Sequence, residues 1–420
     1  MPSSDPAPGR RAWVVALAGA VALAVAMGIG RFAFTPLLPM MLAEGALDLH
    51  TASWLASANY LGYLAGAVLC TFQPWLRALL PGLPRFEDAT LIRLGLGTTV
   101  VLTVAMALPW PAAWPVLRFG AGVASALVFV YSAGWCLATL ARHHASALGG
   151  VMFAGPGAGI VASGLAVGAM VSAQWRASSA WLLCGALAFV LSATVWRTFG
   201  AARGAGTGTA GPVGASEPRV AARPQRGVIA WLALAYGLAG FGYIITATFL
   251  PVIAREAMPG SRALDFFWPI FGFGVFVGAL LSTRLRMTGD LRALLCGAYL
   301  IQAAAITLGI LFPTLAGFAL GSFLLGVPFT AITFFAMQEV RRLRPIDTAS
   351  TIGLLTATYG IGQIVGPPLV AALLRHSASL HAGFSLGLGL AAGGLLLGAA
   401  IYEGLRRAAP MTARATPPGR

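Results

Sequence analysis

Two arginines stand in stretches that otherwise hold almost nothing but apolar side chains: Arg31 within VALAVAMGIGRFAFTPLLPMM and Arg118 within AAWPVLRFGAGVASALVFV. A guanidinium at the centre of a membrane-spanning helix costs roughly 2.5–3.5 kcal/mol on insertion scales, so each needs something to offset it. None of the 12 acidic residues falls in the middle of an apolar run; Asp265 and Glu339 come nearest, at the ends of theirs, and Glu44 follows the first run. Two internal cations without an internal anion point to a bound anion. The planar guanidinium suits that task because it can donate two parallel hydrogen bonds to a carboxylate. Arg31 and Arg118 are therefore candidate substrate-binding residues. The competing readings stay open: carbonyls freed around Gly28, Gly30 and Pro36, or Asp265, could satisfy Arg31, and Arg118 could fix its helix to its neighbours.

Polar side chains in other apolar runs form a second tier of substrate-binding candidates: Asn59 and Tyr63 (with Tyr60 beside them), Tyr243, Gln338, and Gln363 with Tyr359. Each could hydrogen-bond a ligand or join two helices. Trp268 could line a cavity or merely pack. Asp265 and Glu339 are the candidate acids for proton coupling. Neither a cofactor nor a metal is expected. Cys70, Cys136, Cys184 and Cys296 are scattered through apolar segments without a Cys-x-x-Cys pair. His143 and His144 are adjacent, and neighbours on a helix do not face each other. With no grouped acids and no Ser/His set on facing helices, an enzyme is not expected.

The elements that must position these residues follow from composition. Apolar residues make up 58% of the 420-residue chain and charged residues 9%, against about 25% charged in a soluble domain. A bilayer-spanning helix needs about 20 apolar residues, and such runs occur near 12–42, 51–73, 91–110, 112–140, 147–172 and 178–198. They resume near 227–254, 264–284, 291–312, 314–340, 349–374 and 383–404. The expected architecture is all-α and integral to the membrane, with twelve transmembrane helices in two pseudo-symmetric six-helix bundles. The first bundle covers 1–198 and the second 227–420, the latter ending in a short cytoplasmic tail. Residues 199–226, rich in Gly, Ala, Pro and Arg, read as a flexible cytoplasmic linker.

All of the basic charge is arginine, and its placement sets orientation, because cytoplasmic loops retain positive charge. With the N-terminus inside, only Arg176, Arg255, Arg262 and Arg375 fall on outside loops; apart from Arg31 and Arg118, every other arginine lies inside. Both termini are thus expected in the cytoplasm of a bacterial cell, with the chain in its inner membrane. The net charge of +15 is accounted for by these loops, so no nucleic-acid partner is expected. Trp13, Trp75, Trp110, Trp114, Trp175, Trp196 and Trp231 fall near run ends, as an interfacial belt requires. The first run has the flanks of a cleaved export signal, but it has a counterpart in the second half and reads as retained. GIGRFAFTPLLP (28–39) aligns without gaps on GFGYIITATFLP (240–251), and GPGAG (155–159) pairs with GPPLV (366–370). Duplicated landmarks of this kind are a recurring plan in secondary transporters.

These segments carry a family resemblance. GIGRFAFTPLLPMM, SANYLGYLAG (57–66), LRFGAGVASA (117–126), FAGPGAG, GFGYIITATFLP and MQEVRRL (337–343) together resemble the major facilitator superfamily, in its YbfB/YjiJ-like branch, over nearly the whole length. Arg118 and Gly122 match the superfamily's R-x-x-x-G pattern, and Gly155, Pro156 and Gly159 loosely match G-P-x-x-G. The chain departs from the pattern between its second and third runs. There QPWLRALLPGLPRFEDATLIR (73–93) replaces the short G-x-x-x-D-[RK] turn, which leaves the usual cytoplasmic gating contact in doubt. The resemblance implies a secondary transporter working by alternating access on a small organic solute, with a carboxylate or other anion as the class the arginines suggest. Multidrug efflux of lipophilic compounds is the alternative. The expected partners are the lipid bilayer, the solute and, as an open matter, protons; a monomer is favoured.

Overall fold

The computed structural model describes residues 8–79, 87–145, 148–199, 226–282, 284, 290–344 and 348–408. Twelve helical segments among them are long and apolar enough to cross a bilayer: α1 Gly9–Ala43, α2 Leu49–Phe72, α3 Asp88–Ala105, α4 Pro111–Arg142, α5 Gly149–Ser172 and α6 Ala177–Trp196, then α7 Gly227–Ala257, α8 Ala263–Ser282, α9 Leu291–Leu311, α10 Leu315–Val340, α11 Thr351–His376 and α12 Leu380–Ala408. The described residues form no strand. Helices close their backbone hydrogen bonds internally, which is what a solvent without donors or acceptors demands. Of the expected linker at 199–226 only Phe199 and Arg226 are among the described residues, and within 73–93 residues 80–86 lie outside them.

Short polar residues start several helices. The Asp48 carboxylate accepts from the Thr51 backbone N–H at 2.7 Å at the head of α2, and these bonds hold its carboxyl below the usual carboxylate range. Asp290 caps α9 by accepting from the Arg292 N–H at 3.0 Å, and Thr314 caps α10 through the Gly317 N–H at 3.2 Å. Glu44 reaches from the end of α1 to accept from the Ala177 N–H at 2.6 Å, the first residue of α6.

Helices approach closely where glycine removes a side chain. An alanine Cβ at Gly28 would sit 2.5 Å from the Gly159 Cα, so α1 and α5 are in backbone contact. Six helices on, Gly362 of α11 leaves equally little room against Gly237 of α7. Helices α2 and α4 meet through Gly62 and Gly122, and α8 and α10 meet through Gly274 and Gly326. The pairings α1–α5 and α2–α4 thus recur as α7–α11 and α8–α10, the pseudo-symmetry that the aligned Gly/Pro landmarks announce. Close seams between α2 and α11 and between α5 and α8 help join the halves. Leu64 of α2 lies 3.1 Å from where a Gly360 Cβ would stand on α11, and a Cβ at Gly157 of α5 would meet the Phe276 nitrogen of α8 at 2.5 Å.

Large apolar side chains such as Val101, Phe189, Leu94 and Leu397 are more than half exposed around the outside, a surface suited to lipid. Trp110, Trp175 and Trp231 are exposed near helix ends as an interfacial belt requires. Trp114 is not: it is 6% exposed and its indole N–H donates to the Leu108 carbonyl at 3.2 Å, stapling the turn before α4. The Trp75 side chain lies outside the described residues.

Candidate functional site

Helix α1 does not run regularly to Arg31. Residues Ala24–Arg31 form a π-helix, and Phe32 donates to the Met27 carbonyl five residues back at 3.1 Å. Gly28 and Gly30 resist this wider winding least. Pro36, with no N–H to give, interrupts the ladder just beyond. Carbonyls freed here are taken by side chains from neighbouring helices. Ser125 of α4 donates to the Ala26 carbonyl at 2.5 Å, and Ser163 of α5 donates to that of Gly28 at 3.4 Å. Arg118 donates through Nη1 to the Gly30 carbonyl at 3.2 Å and through Nη2 to the Arg31 carbonyl at 3.1 Å. Both terminal nitrogens of Arg118 are thereby committed to the backbone of α1, and its charge lies 4.9 Å from the Phe34 ring centroid.

Arg31 itself turns inward, between the halves, and is 3% exposed. Its Nη2 donates to Gln363 Oε1 of α11 at 2.7 Å; Gln363 in turn donates through Nε2 to the Tyr243 hydroxyl of α7. The guanidinium carbon lies 4.1 Å from the Tyr63 ring centroid, 5.2 Å from that of Tyr60 and 5.4 Å from that of Phe32. A hydrogen bond to a charged donor contributes about 1.5–3 kcal/mol, and a desolvated cation–π contact up to about 2 kcal/mol. Together these match the insertion cost of one arginine, so the cation is held without an acid. Its Nε has no partner. Among the described residues no carboxylate pairs with Arg31 or Arg118.

Of the residues singled out in the sequence, Arg31, Tyr63, Tyr243 and Gln363 form one contiguous cluster. Asn59 stands one step away. It donates to the Arg118 carbonyl at 2.9 Å, joining α2 to α4, while its Oδ1 is buried without a partner. Gln338 is half-buried on α10 and makes none of the contacts of this cluster. Trp268 is buried and stacks on Phe271 with centroids 4.9 Å apart. Tyr236 is a member that the sequence reading missed. It lies two helical turns before Tyr243 on the same face of α7, and Tyr359 of α11 stacks parallel between the two, at 4.7 Å and 5.9 Å.

On the side of Arg31 toward residues 44–48 the halves are closed. Thr35 donates to the Ala247 carbonyl at 2.7 Å, Tyr60 and Thr248 share a hydrogen bond at 2.9 Å, and Ser57 donates to the Ile364 carbonyl at 2.9 Å. Phe32 is inserted from α1 among rings of the other half, 6.1 Å from Trp268 and 6.2 Å from Phe329. On the opposite side Tyr63, Phe129, Trp135, Phe334 and Gln338 are only partly buried.

The acids lie away from this centre. Asp265 is paired with Arg255 at 2.5 Å near the helix ends, which removes it as the partner of Arg31. Glu339 is fully buried beside Arg292, with 3.4 Å between Nε and Oε1. Arg292 also contacts Asp290 at 3.0 Å and donates to the Leu405 carbonyl at 2.9 Å, so this group ties α9, α10 and α12 together. Glu44 is used as the cap of α6 described above. No cluster of His, Cys, Asp and Glu able to hold a metal occurs among the described residues.

Twelve apolar helices, duplicated pairings and a buried polar centre between two halves are the anatomy of a carrier. The family model described as "Uncharacterised MFS-type transporter YbfB" matches residues 23–403. The chain belongs to this family of the major facilitator superfamily. It is accordingly a multi-pass membrane protein of a transporter family. A crystal structure of a mutant of the nucleoside transporter NupG superposes with a TM-score of 0.65, at 14% identity, covering 93% of this chain and 99% of that one. At that identity the likeness establishes the major facilitator fold alone. No curated protein matches the chain in sequence.

Proposed function

We propose that this transporter moves a small organic anion, a carboxylate above all, across the cytoplasmic membrane by alternating access, with Arg31 as the residue that binds it. The observation that carries this reading is a buried guanidinium, between the halves, with no carboxylate partner among the described residues and an unpartnered Nε. Segments 1–198 and 227–420 act as the two bundles that rock about it, joined by 199–226. With both termini in the cytoplasm, residues 44–48 lie outside, and the closed side found here is the outer one. Tyr63, Tyr243 and Gln363 complete the solute's surroundings. Arg118 and Asn59 act on it indirectly, by shaping α1.

The ring-lined path also suits lipophilic solutes, which keeps multidrug efflux as the second reading, although a free cation opposes the positively charged compounds such carriers commonly accept. A thermal-shift screen of the purified protein over small organic acids, sugars and lipophilic cations separates the two. Organic acids are expected to stabilise wild type and to lose their effect in Arg31→Ala, with Arg31→Lys between them. Folded Arg31→Ala that responds like wild type would overturn the anion site.

A further inference from the structure

Arg31 is satisfied here by a group shaped like the one it is proposed to bind. A glutamine carboxamide is the neutral isostere of a carboxylate, and Gln363 presents its oxygen to Arg31 at 2.7 Å while its nitrogen donates to Tyr243. The bond crosses from α1 to α11, between the two halves. It is incomplete as a match, because one carboxamide oxygen uses a single donor and the Arg31 Nε is left without a partner. A carboxylate can take two parallel donors from the same fork and adds a full charge. Arg118 offers such a ligand no second fork, since both its terminal nitrogens donate to the Gly30 and Arg31 carbonyls, although its charge remains nearby. One fork pairs with one carboxylate; a second carboxylate on the ligand would be desolvated without a paired donor of its own.

We infer that Gln363 is a built-in surrogate for the substrate's carboxylate, and that the substrate is a monocarboxylate that displaces it from Arg31. The inference rests on the anion reading of Arg31 given above and narrows it. Displacement has a mechanical consequence. When the solute takes Arg31, the hydrogen bond that ties α1 to α11 at the centre is lost, and Gln363 is released with Tyr243 on the second half. Binding is in this way exchanged for a cross-half tie, which lowers the resistance to separation on the closed side. Gln363 thus competes with the substrate, so removing it strengthens binding, the opposite of what an ordinary ligand-contacting residue would do.

The test is a calorimetric titration of the full-length purified protein with acetate, hexanoate and benzoate, alongside benzamide as a neutral isostere and phthalate as a dianion on the same ring. Gln363→Leu is expected to bind the best monocarboxylate about tenfold more tightly than wild type, the size of one charge-assisted hydrogen bond no longer in competition. Gln363→Glu places an internal carboxylate on Arg31 and is expected to abolish the titration while raising the melting temperature. Gln363→Met, closer in length, gives the same reading as Gln363→Leu if the latter fails to fold. Unchanged or weaker binding in both neutral variants, with wild-type binding still dependent on Arg31, overturns the surrogate and leaves the anion site standing. Phthalate binding as tightly as benzoate overturns the restriction to monoanions. No response to any monocarboxylate, or benzamide matching benzoate, overturns the anion site itself.

Discussion

The two buried arginines, alike in the sequence, do different work. Arg118 donates to two carbonyls of α1 and makes no contact that leads into the space between the halves. Arg31 makes the cross-half contact. Substitution by lysine separates the roles, because an ammonium is a point charge and cannot bridge two carbonyls as a planar fork does. Arg118→Lys is expected to lower stability by about 1–2 kcal/mol, one hydrogen bond's worth in a buried setting, with ligand affinity reduced only as α1 loosens. Arg31→Lys is expected to leave thermal unfolding in detergent near wild type and to weaken ligand binding about tenfold, the loss of a bidentate geometry. Equal effects of the two variants on both readouts would refute the division of labour. Charge in an apolar run made both positions visible in the sequence. Which of them makes the contact across the halves was not visible, because that depends on where α1 leaves its regular winding.

That irregularity belongs to the scale of elements. Twelve apolar runs, the duplicated Gly/Pro landmarks and most helix ends could be read from periodicity and length, since lipid leaves helices little freedom to be anything else. The π-helical stretch Ala24–Arg31 could not, because its stability lies in Ser125, Ser163 and Arg118, donors that arrive from α4 and α5. Asp265 and Glu339 were equally opaque. Their positions at helix ends suited proton coupling, but the first is paired with Arg255 and the second is enclosed with Arg292. We expect Glu339→Gln to lower the melting temperature by several degrees, as loss of a buried ion-pair partner does, and to leave the pH profile of transport unchanged. A flattened pH profile with normal stability would restore Glu339 as a coupling acid. The α5–α8 seam gives a further prediction. Gly157→Ala would press its new Cβ against Phe276 and Gly272 across the halves, so it is expected to slow transport at least about tenfold while ligand binding at equilibrium changes little, since a small backbone misfit at a moving interface raises a barrier more than it alters a site. Reduced binding with normal turnover would place the misfit in the site instead.

For the whole molecule, the decisive quantity is the charge carried through one cycle. The centre holds two cations without an acid partner, Arg31 and Arg118, and a bound monoanion would offset one of them; no carboxylate among the described residues sits beside Arg31 to trade a proton. On the proposed monoanion reading, the empty carrier returns with one more positive charge than the loaded carrier, and each complete cycle is expected to move one net negative charge with the solute. A potential of 100 mV acts on such a charge with about 2.3 kcal/mol. In proteoliposomes, solute accumulation is expected to rise when the lumen is made positive with a potassium diffusion potential and to fall when it is made negative. Collapsing an imposed pH gradient at constant potential, with the solute fully ionised on both sides, is expected to leave the rate unchanged. Uptake that follows the pH gradient and ignores the potential would mean that a proton accompanies the anion, and would require an acid to approach Arg31 in another conformation of the cycle.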